Sequence, residues 1–261
     1  MTTFLDLHIP GTPLLMPNPW DAGSAKLLAS LGFEALATTS SGFAATLGRL
    51  DGSVTRDEAI AHSATIAQAT ELPVNGDLEN GFADDAGGVA ETVRLALGAG
   101  LAGCSIEDWS GDAIYEAEHA AERIAAAAEA AHGGDDRLVL TARAENHIHG
   151  RDDLADTIAR LQAYEEAGAD VLYAPGVRSV EDVRAVVSAV SRPVNVLALP
   201  GTAPVAELAA GGVARISTGG AFAMAALGAV VEAARELRGH GTYGYWPRAQ
   251  AGSKAAKDAF G

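Results

Sequence analysis

The 261-residue chain is poor in three things: it has one cysteine, 5% aromatic residues, and 18 Lys+Arg against 34 Asp+Glu, a formal net charge of −16. The cysteine and charge counts each exclude something. A lone Cys104 closes no internal disulfide, and its place in the apolar stretch 102–106 reads as a buried structural thiol in a reducing cytoplasm. So large an acidic excess lacks the basic footprint that displaces counterions from nucleic acid or docks on an anionic membrane, so neither partner is expected. No run of about 18 apolar residues is present to span a bilayer. Residues 1–6 carry neither the basic nor the apolar part of a secretion signal, so a cytoplasmic location is expected. Hydrophobic residues, at 48%, are plentiful enough for a sizeable core.

Eight short apolar runs suited to buried strands recur, at 14–16, 34–39, 73–77, 103–108, 138–143, 170–175, 193–197 and 213–217. Between them, segments 22–31, 56–70, 86–98, 116–131, 154–167 and 180–190 space apolar residues by three and four, the helical period. Asp21, Thr55, Asp84, Asp152 and Ser179 stand where N-caps belong, and Gly32, Gly100 and Gly168 where helices close. This alternation predicts a (β/α)8 TIM barrel of the α/β class, and the Gly-x-Gly-x-x-Gly turn of an open dinucleotide-binding sheet is missing. No linker divides the chain, so residues 1–261 read as a single barrel domain with 239–261 as a C-terminal tail. That tail sets Tyr243, Tyr245 and Trp246 close together, and burial against the barrel or a neighbouring subunit is expected.

Barrel enzymes carry their chemistry at the carboxyl ends of the strands. Those positions hold Asn18, Trp20 and Asp21, then Ser40, Ser41 and Gly42, then Asp77 and Glu79, then Glu107 and Asp108. Arg143 and Glu145, Tyr173, Asn195 and Ser217 follow. Four carboxylates, Asp77, Glu79, Glu107 and Asp108, converge if their strands are neighbours, and like charges that close need a cation among them. Mg2+, held by one or two carboxylates and water, is the economical choice. Arg143 adds a fork for a substrate carboxylate, and amides at Ser41 and Gly42 complete a site for a small dianionic oxo acid. Gly219 and Gly220 fit either a phosphate cradle or a tight turn. His147 and His149 lack a third ligand at zinc spacing and read as solvent-facing or supporting groups.

In order along the chain, Asn18-Pro19-Trp20-Asp21-Ala22-Gly23-Ser24-Ala25, Thr39-Ser40-Ser41-Gly42, Gly48-Arg49-Leu50-Asp51-Gly52, Gly76-Asp77-Leu78-Glu79-Asn80-Gly81-Phe82, Ser105-Ile106-Glu107-Asp108, Ala142-Arg143-Ala144-Glu145 and Pro193-Val194-Asn195-Val196 resemble the isocitrate lyase/phosphoenolpyruvate mutase superfamily. The resemblance implies a barrel whose last helix is exchanged between subunits of a homodimer or homotetramer. It implies Mg2+, or Mn2+ in its place, at Asp77 and Glu79 with Glu107 behind, and an enolate intermediate. A 2-oxo carboxylate would be held by Ser40, Ser41, Gly42, Trp20, Asn195 and Arg143. The Lys-[Lys/Arg]-Cys-Gly-His-type loop of the lyases is replaced here by 109–115, without Cys, Lys or His. The resulting expectation is a lyase cleaving a C–C bond of a small 2-oxo acid or related hydroxy diacid, by oxaloacetate-type decarboxylation or retro-aldol cleavage. Asp51 would orient the pocket, and Tyr115 or Tyr173 would transfer the proton. Two alternatives stand beside it: a C–P bond enzyme such as phosphonopyruvate hydrolase or phosphoenolpyruvate mutase, and a non-catalytic 2-oxo acid binding protein.

Overall fold

The computed structural model describes residues 3–134 and 137–261. Eight strands, β1 (Leu14–Met16), β2 (Leu36–Ala37), β3 (Val74–Asp77), β4 (Gly103–Glu107), β5 (Val139–Arg143), β6 (Val171–Tyr173), β7 (Val194–Leu197) and β8 (Arg215–Ser217), form one sheet in the order β1-β8-β7-β6-β5-β4-β3-β2. Every pairing is parallel. The Ala37 amide donates to the Pro17 carbonyl at 3.1 Å, bringing the two edges together into the expected (β/α)8 barrel.

Side-chain alternation along each strand sorts the residues into two populations. Cys104, Ile106, Leu140, Ala142, Leu172, Val194, Val196 and Ile216 face outward into the core beneath the helices. Their neighbours Asn75, Asp77, Ser105, Arg143, Tyr173, Asn195, Arg215 and Ser217 line the barrel interior, which is therefore polar. Cys104 is fully buried, and burial pushes its thiol up to about 12, so it is inert.

The outer layer holds α1 (Ala22–Ser30), α2 (Ser40–Thr46), α3 (Arg56–Gln68), α4 (Ala86–Gly98), α5 (Ala117–His132), α6 (Leu154–Glu166), α7 (Val180–Ala189), α8 (Val205–Ala210), α9 (Ala221–His240) and α10 (Trp246–Phe260). Asp21, Thr55 and Ser179 cap their helices as predicted. The caps of α4 and α6 are Asp85 and Asp153, each one residue beyond the expected Asp84 and Asp152. Both displaced acids have other partners: Asp84 accepts the Tyr115 hydroxyl, and Asp152 lies 3.4 Å from His147 Nδ1. Gly32, Gly100 and Gly168 close their helices with φ of 87°, 79° and 104°, a region L side chains avoid.

The short 3-10 helix Leu5–Leu7 closes the barrel floor, where Phe4 packs with Leu14, Val139 and Val171. There His8 bonds the Phe4 carbonyl through Nδ1 at 3.0 Å and meets Arg215 Nη1 through Nε2 at 3.1 Å. At the other end of the chain, α9 buries only Ala223 of its twenty residues. Leu227, Val230, Val231 and Leu237 stand exposed on it, as do Tyr243 and Trp246 beyond it, while α10 lies along α1 with Phe260 against Gly23.

Candidate active site

Two cavities open at the carboxyl ends of the strands and share Ser40, Asp51 and Arg143 in their walls. The outer one, about 630 Å3, is walled further by Glu79, Glu107, Glu145, Trp109, Ile148 and His149. The inner one, about 180 Å3, descends into the barrel past Ser41, Asp77 and Tyr173 to Asn195 and Arg215.

Arg143, at the end of β5, is the centre of the arrangement. Its Nη1 lies 2.9 Å from Asp77 Oδ1, its Nη2 3.1 Å from Glu107 Oε2, and its Nε 2.8 Å from Glu145 Oε1. One guanidinium thus offsets three carboxylates from three adjacent strands, which its planar fork of donors permits and a lysine point charge would not. Burial pushes Glu107 and Glu145 above the ordinary carboxylate range, against the pull of Arg143. The Asp77 carboxylate is fixed from its other side by the Ser40 amide at 3.0 Å.

Glu79 differs from these three. Its backbone has φ of 48°, held by the bond from the Glu107 amide to the Glu79 carbonyl at 2.9 Å. Its Oε1 is buried with no hydrogen-bond partner among the described residues. Burial, then the charges of Asp77 and Asp51, push its carboxyl up to about 7. A buried carboxylate oxygen without a donor, beside other carboxylates, has the chemistry of a hard-cation ligand. Among the described residues no three His, Cys, Asp or Glu side chains form a closed metal cluster. Mg2+ does not require one, because it binds through one or two carboxylates and keeps its water, so Asp77 and Glu79 with Glu107 behind them fit it.

The remaining predicted residues divide. Asp51 sits on the rim of both cavities, where enclosure pushes its carboxyl upward and the Ser40 hydroxyl draws it back. Ser40 and Ser41 begin α2; the Ser40 amide is committed to Asp77, and the Gly42 amide to the Thr39 hydroxyl that caps the helix. Of the anion-binding amides expected there, Ser41 is the one with no acceptor among the described residues. Tyr173 lies in the inner cavity with Arg143 Cζ 5.2 Å from its ring centre, and burial pushes its hydroxyl up to about 12. Asn195 lies deeper, donating to Ser217 Oγ at 3.0 Å and accepting from Arg215 Nε at 2.9 Å.

Trp20, Tyr115 and Asp108 stand apart from this group. Trp20 lines neither cavity; its Cβ packs against Gly42 and its carbonyl bonds His62 at 3.0 Å. Tyr115 also lines neither, because Asp84 and Asn80 hold its hydroxyl and Arg123 lies 4.2 Å from its ring centre. Asp108, expected in the acid cluster, points the other way: it pairs with Arg160 at 3.1 Å and accepts the Tyr164 hydroxyl at 2.6 Å. Adjacent strand residues face opposite sides, so Glu107 and Asp108 could not both enter the barrel. Gly219 and Gly220 form a tight turn, in which the amides of Thr218 and Gly219 are taken by Asn18 Oδ1 at 3.0 and 2.9 Å.

Three residues take parts here that the sequence did not assign: Glu145 was placed at a strand end and His149 read as solvent-facing or supporting, while Arg215 was passed over. Glu145 is a full partner of Arg143, and its place two residues on, on the same face, was the available signal. Arg215, inside an apolar run, lies fully buried on Asn195, His8 and Thr141, with no carboxylate among its hydrogen-bond partners in the described residues. His149 stacks on Trp109 with ring centres 3.7 Å apart and lines the outer cavity, while His147 turns toward Asp152.

The family profile described as Phosphoenolpyruvate phosphomutase matches residues 4–238 of the chain. A Burkholderia cenocepacia J2315 structure assigned as a lyase/mutase is 51% identical and superposes with a TM-score of 0.94, covering 98% of this chain and 94% of that one. The structure of 2,3-dimethylmalate lyase, a member of the PEP mutase/isocitrate lyase superfamily, superposes at 0.81 with 28% identity over 90% and 85% of the two chains. Oxaloacetate decarboxylase 2 of Pseudomonas fluorescens (strain Pf0-1) is 31% identical over 232 residues, 84% of this chain and 78% of its own. Barrel, strand-end acids and these likenesses agree: the chain belongs to the phosphoenolpyruvate phosphomutase family of the isocitrate lyase/phosphoenolpyruvate mutase superfamily, and is an enzyme of its lyase type.

Proposed function

We propose that the protein cleaves a C–C bond of a small 2-oxo acid or related hydroxy diacid, by oxaloacetate-type decarboxylation or retro-aldol release of a pyruvate-like enolate. The observation that carries this reading is Arg143 at the junction of the two cavities, ringed by Asp77, Glu107 and Glu145 beside the orphaned Glu79 oxygen. Asp77 and Glu79, with Glu107 behind, are the residues to hold Mg2+ or Mn2+, which when bound supplies Lewis acidity at the oxo oxygen. Arg143 presents a fixed fork to the substrate carboxylate, and the Ser41 amide adds a donor on the second-strand side. Asp51 borders the same space and orients Ser40 through its hydroxyl. The outer cavity encloses the bond that breaks, between the acids and the 109–111 loop.

The test is a steady-state assay of oxaloacetate and of 2-hydroxy diacids with Mg2+, with chelator and Asp77→Ala as controls. Turnover abolished by both is expected. Activity indifferent to chelation and to Asp77→Ala would remove the metal from the reading, and ligand-induced melting shifts without turnover of any substrate would identify a binding protein instead.

The same reading includes a homodimer or homotetramer in which α9 and α10 supply the contact. The exposed apolar residues of α9 support it, since a monomer rarely leaves a contiguous face of that kind in water. A cytoplasmic setting accords with the single buried thiol. Among the described residues no helix is long and apolar enough to cross a membrane.

A further inference from the structure

Cleavage of a C–C bond at this site needs a proton donor. When the C–C bond breaks, its electron pair becomes the C2–C3 double bond of an enolate, and C3 must then receive a proton. Neither tyrosine expected for this task suits it. The Tyr115 hydroxyl is held by Asp84 and Asn80 outside both cavities, and Tyr173 lies in the inner cavity with a hydroxyl that burial makes a weaker acid. Glu107 and Glu145 are tied to Arg143, and Glu79 belongs to the cation-binding set.

His149 is the one imidazole lining either cavity among the described residues. It reaches the outer cavity from the loop after β5, and its ring lies flat on Trp109, 3.7 Å between centres and 14° between planes. Trp109 opens the segment that replaces the lyase cysteine loop, so the stack carries the imidazole to the side of the site where that loop would act. His149 Nε2 stands 3.9 Å from Glu145 Oε2, whose other oxygen accepts from Arg143 Nε at 2.8 Å. The imidazole is therefore within ion-pairing reach, though not hydrogen-bonding distance, of the carboxylate that Arg143 holds. The side chain is 32% exposed, enough to exchange protons with solvent at the cavity mouth.

We propose, on the basis of the lyase reading, that His149 is the catalytic residue that carries the proton between solvent and C3 of the enolate. In the decarboxylation direction, the bond to the departing carboxyl carbon breaks and CO2 leaves with its own oxygens. The enolate pair then takes the imidazolium N–H proton at C3, the oxo group re-forms, and neutral His149 regains a proton from water. No oxidant or further reactant is needed. The charges around the ring are Glu145 beside it, Asp108 and Arg143 behind, and Asp51 and Glu79 across the outer cavity. Burial, opposed by Asp108 and assisted by Arg143, sets the imidazole below its ordinary range, so the proton-donating form is lost on raising the pH sooner than in a free imidazole.

The experiment compares wild type, His149→Gln and His149→Ala, each loaded with Mg2+, in three measurements: oxaloacetate turnover against pH, deuterium incorporation at C3 of pyruvate in D2O by NMR, and calorimetric binding of oxalate, a planar dianion shaped like the enolate. Both variants are expected to bind oxalate as the wild type does, to lose about 100-fold in exchange and turnover, and to lose the fall in rate that the wild type shows as the imidazolium deprotonates with rising pH. Added imidazole is expected to restore exchange in His149→Ala, which a structural role for the ring would not produce. Wild-type exchange rates and an unchanged pH profile in both variants, with the wild type active, would overturn this assignment while leaving the lyase reading intact. A wild type that binds oxalate but neither turns over nor exchanges would overturn both.

Discussion

Arg143 is the residue on which the site turns. Replacing it with glutamine removes the fork proposed for the substrate carboxylate and leaves Asp77, Glu107 and Glu145 facing one another across buried space. The expected loss in kcat/KM is about 100- to 1000-fold, the range for removing a donor aimed at developing charge. Arg143→Lys is expected to recover little of it, because an ammonium cannot reach three carboxylates in one plane; steady-state kinetics on oxaloacetate checks both variants. At the barrel floor, His8 offers a separate test. Burial, then the Arg215 charge, lower its imidazole from 6.5 to about 3. The unfolded chain takes up this proton below about pH 6.5 whereas the fold resists it until about 3, so the His8 contribution to stability is full above pH 6.5 and is lost as pH falls through that window. Denaturant unfolding between pH 7 and 4 is expected to fall less steeply in His8→Gln than in the wild type.

At the scale of elements, the eight strands and six of the ten helices, α1 and α3 to α7, were legible because each carries its own periodicity and most carry a local cap. α2 was not: seven residues, Ser40–Thr46, are too few to show a helical period, and the helix exists because Thr39 caps it and Asp77 takes its first amide. Thr39→Ala is expected to lower stability by about 1 kcal/mol and to weaken substrate binding as well, since the same helix presents Ser40 to both cavities and Ser41 to the inner one. Gly220 is coupled to it across the barrel, because a Cβ there would meet the Ser41 hydroxyl. Gly220→Ala is expected to raise KM with a smaller effect on Tm, which kinetics and a melting curve on the same sample distinguish. Strand parity explains the error in the acid cluster: Glu107 and Asp108 read as one acidic pair, yet the pleat sends one into the barrel and the other to Arg160 and Tyr164.

At the scale of the whole molecule, the conspicuous feature is the end of the chain. The exposed Leu227, Val230, Val231 and Leu237 of α9 lie on a helix that the chain's own barrel does not cover. With the proposed oligomer, Leu227→Glu combined with Val230→Glu is expected to give a monomer by light scattering, with its barrel still folded by circular dichroism. A wild type that is monomeric at micromolar concentration would instead remove the intersubunit contact from the reading. The net charge of −16 also divides at this scale. Part of it is placed on the outer helices in water, and part is gathered at the strand ends, where Arg143 offsets it.

The sequence by itself determined the barrel, the strand-end positions of Asp77, Glu79, Glu107 and Arg143, and the buried thiol, because periodicity, caps and alternation are local and each residue carries its part of the signal. Tertiary structure alone decided which donors those acids meet. It turned Asp108 and Tyr115 away, closed the Gly219 turn on Asn18, buried Arg215 without a carboxylate partner, and laid His149 on Trp109 at the mouth. Each of these contacts joins residues at least 31 positions apart, a separation at which only closure of the barrel brings side chains together.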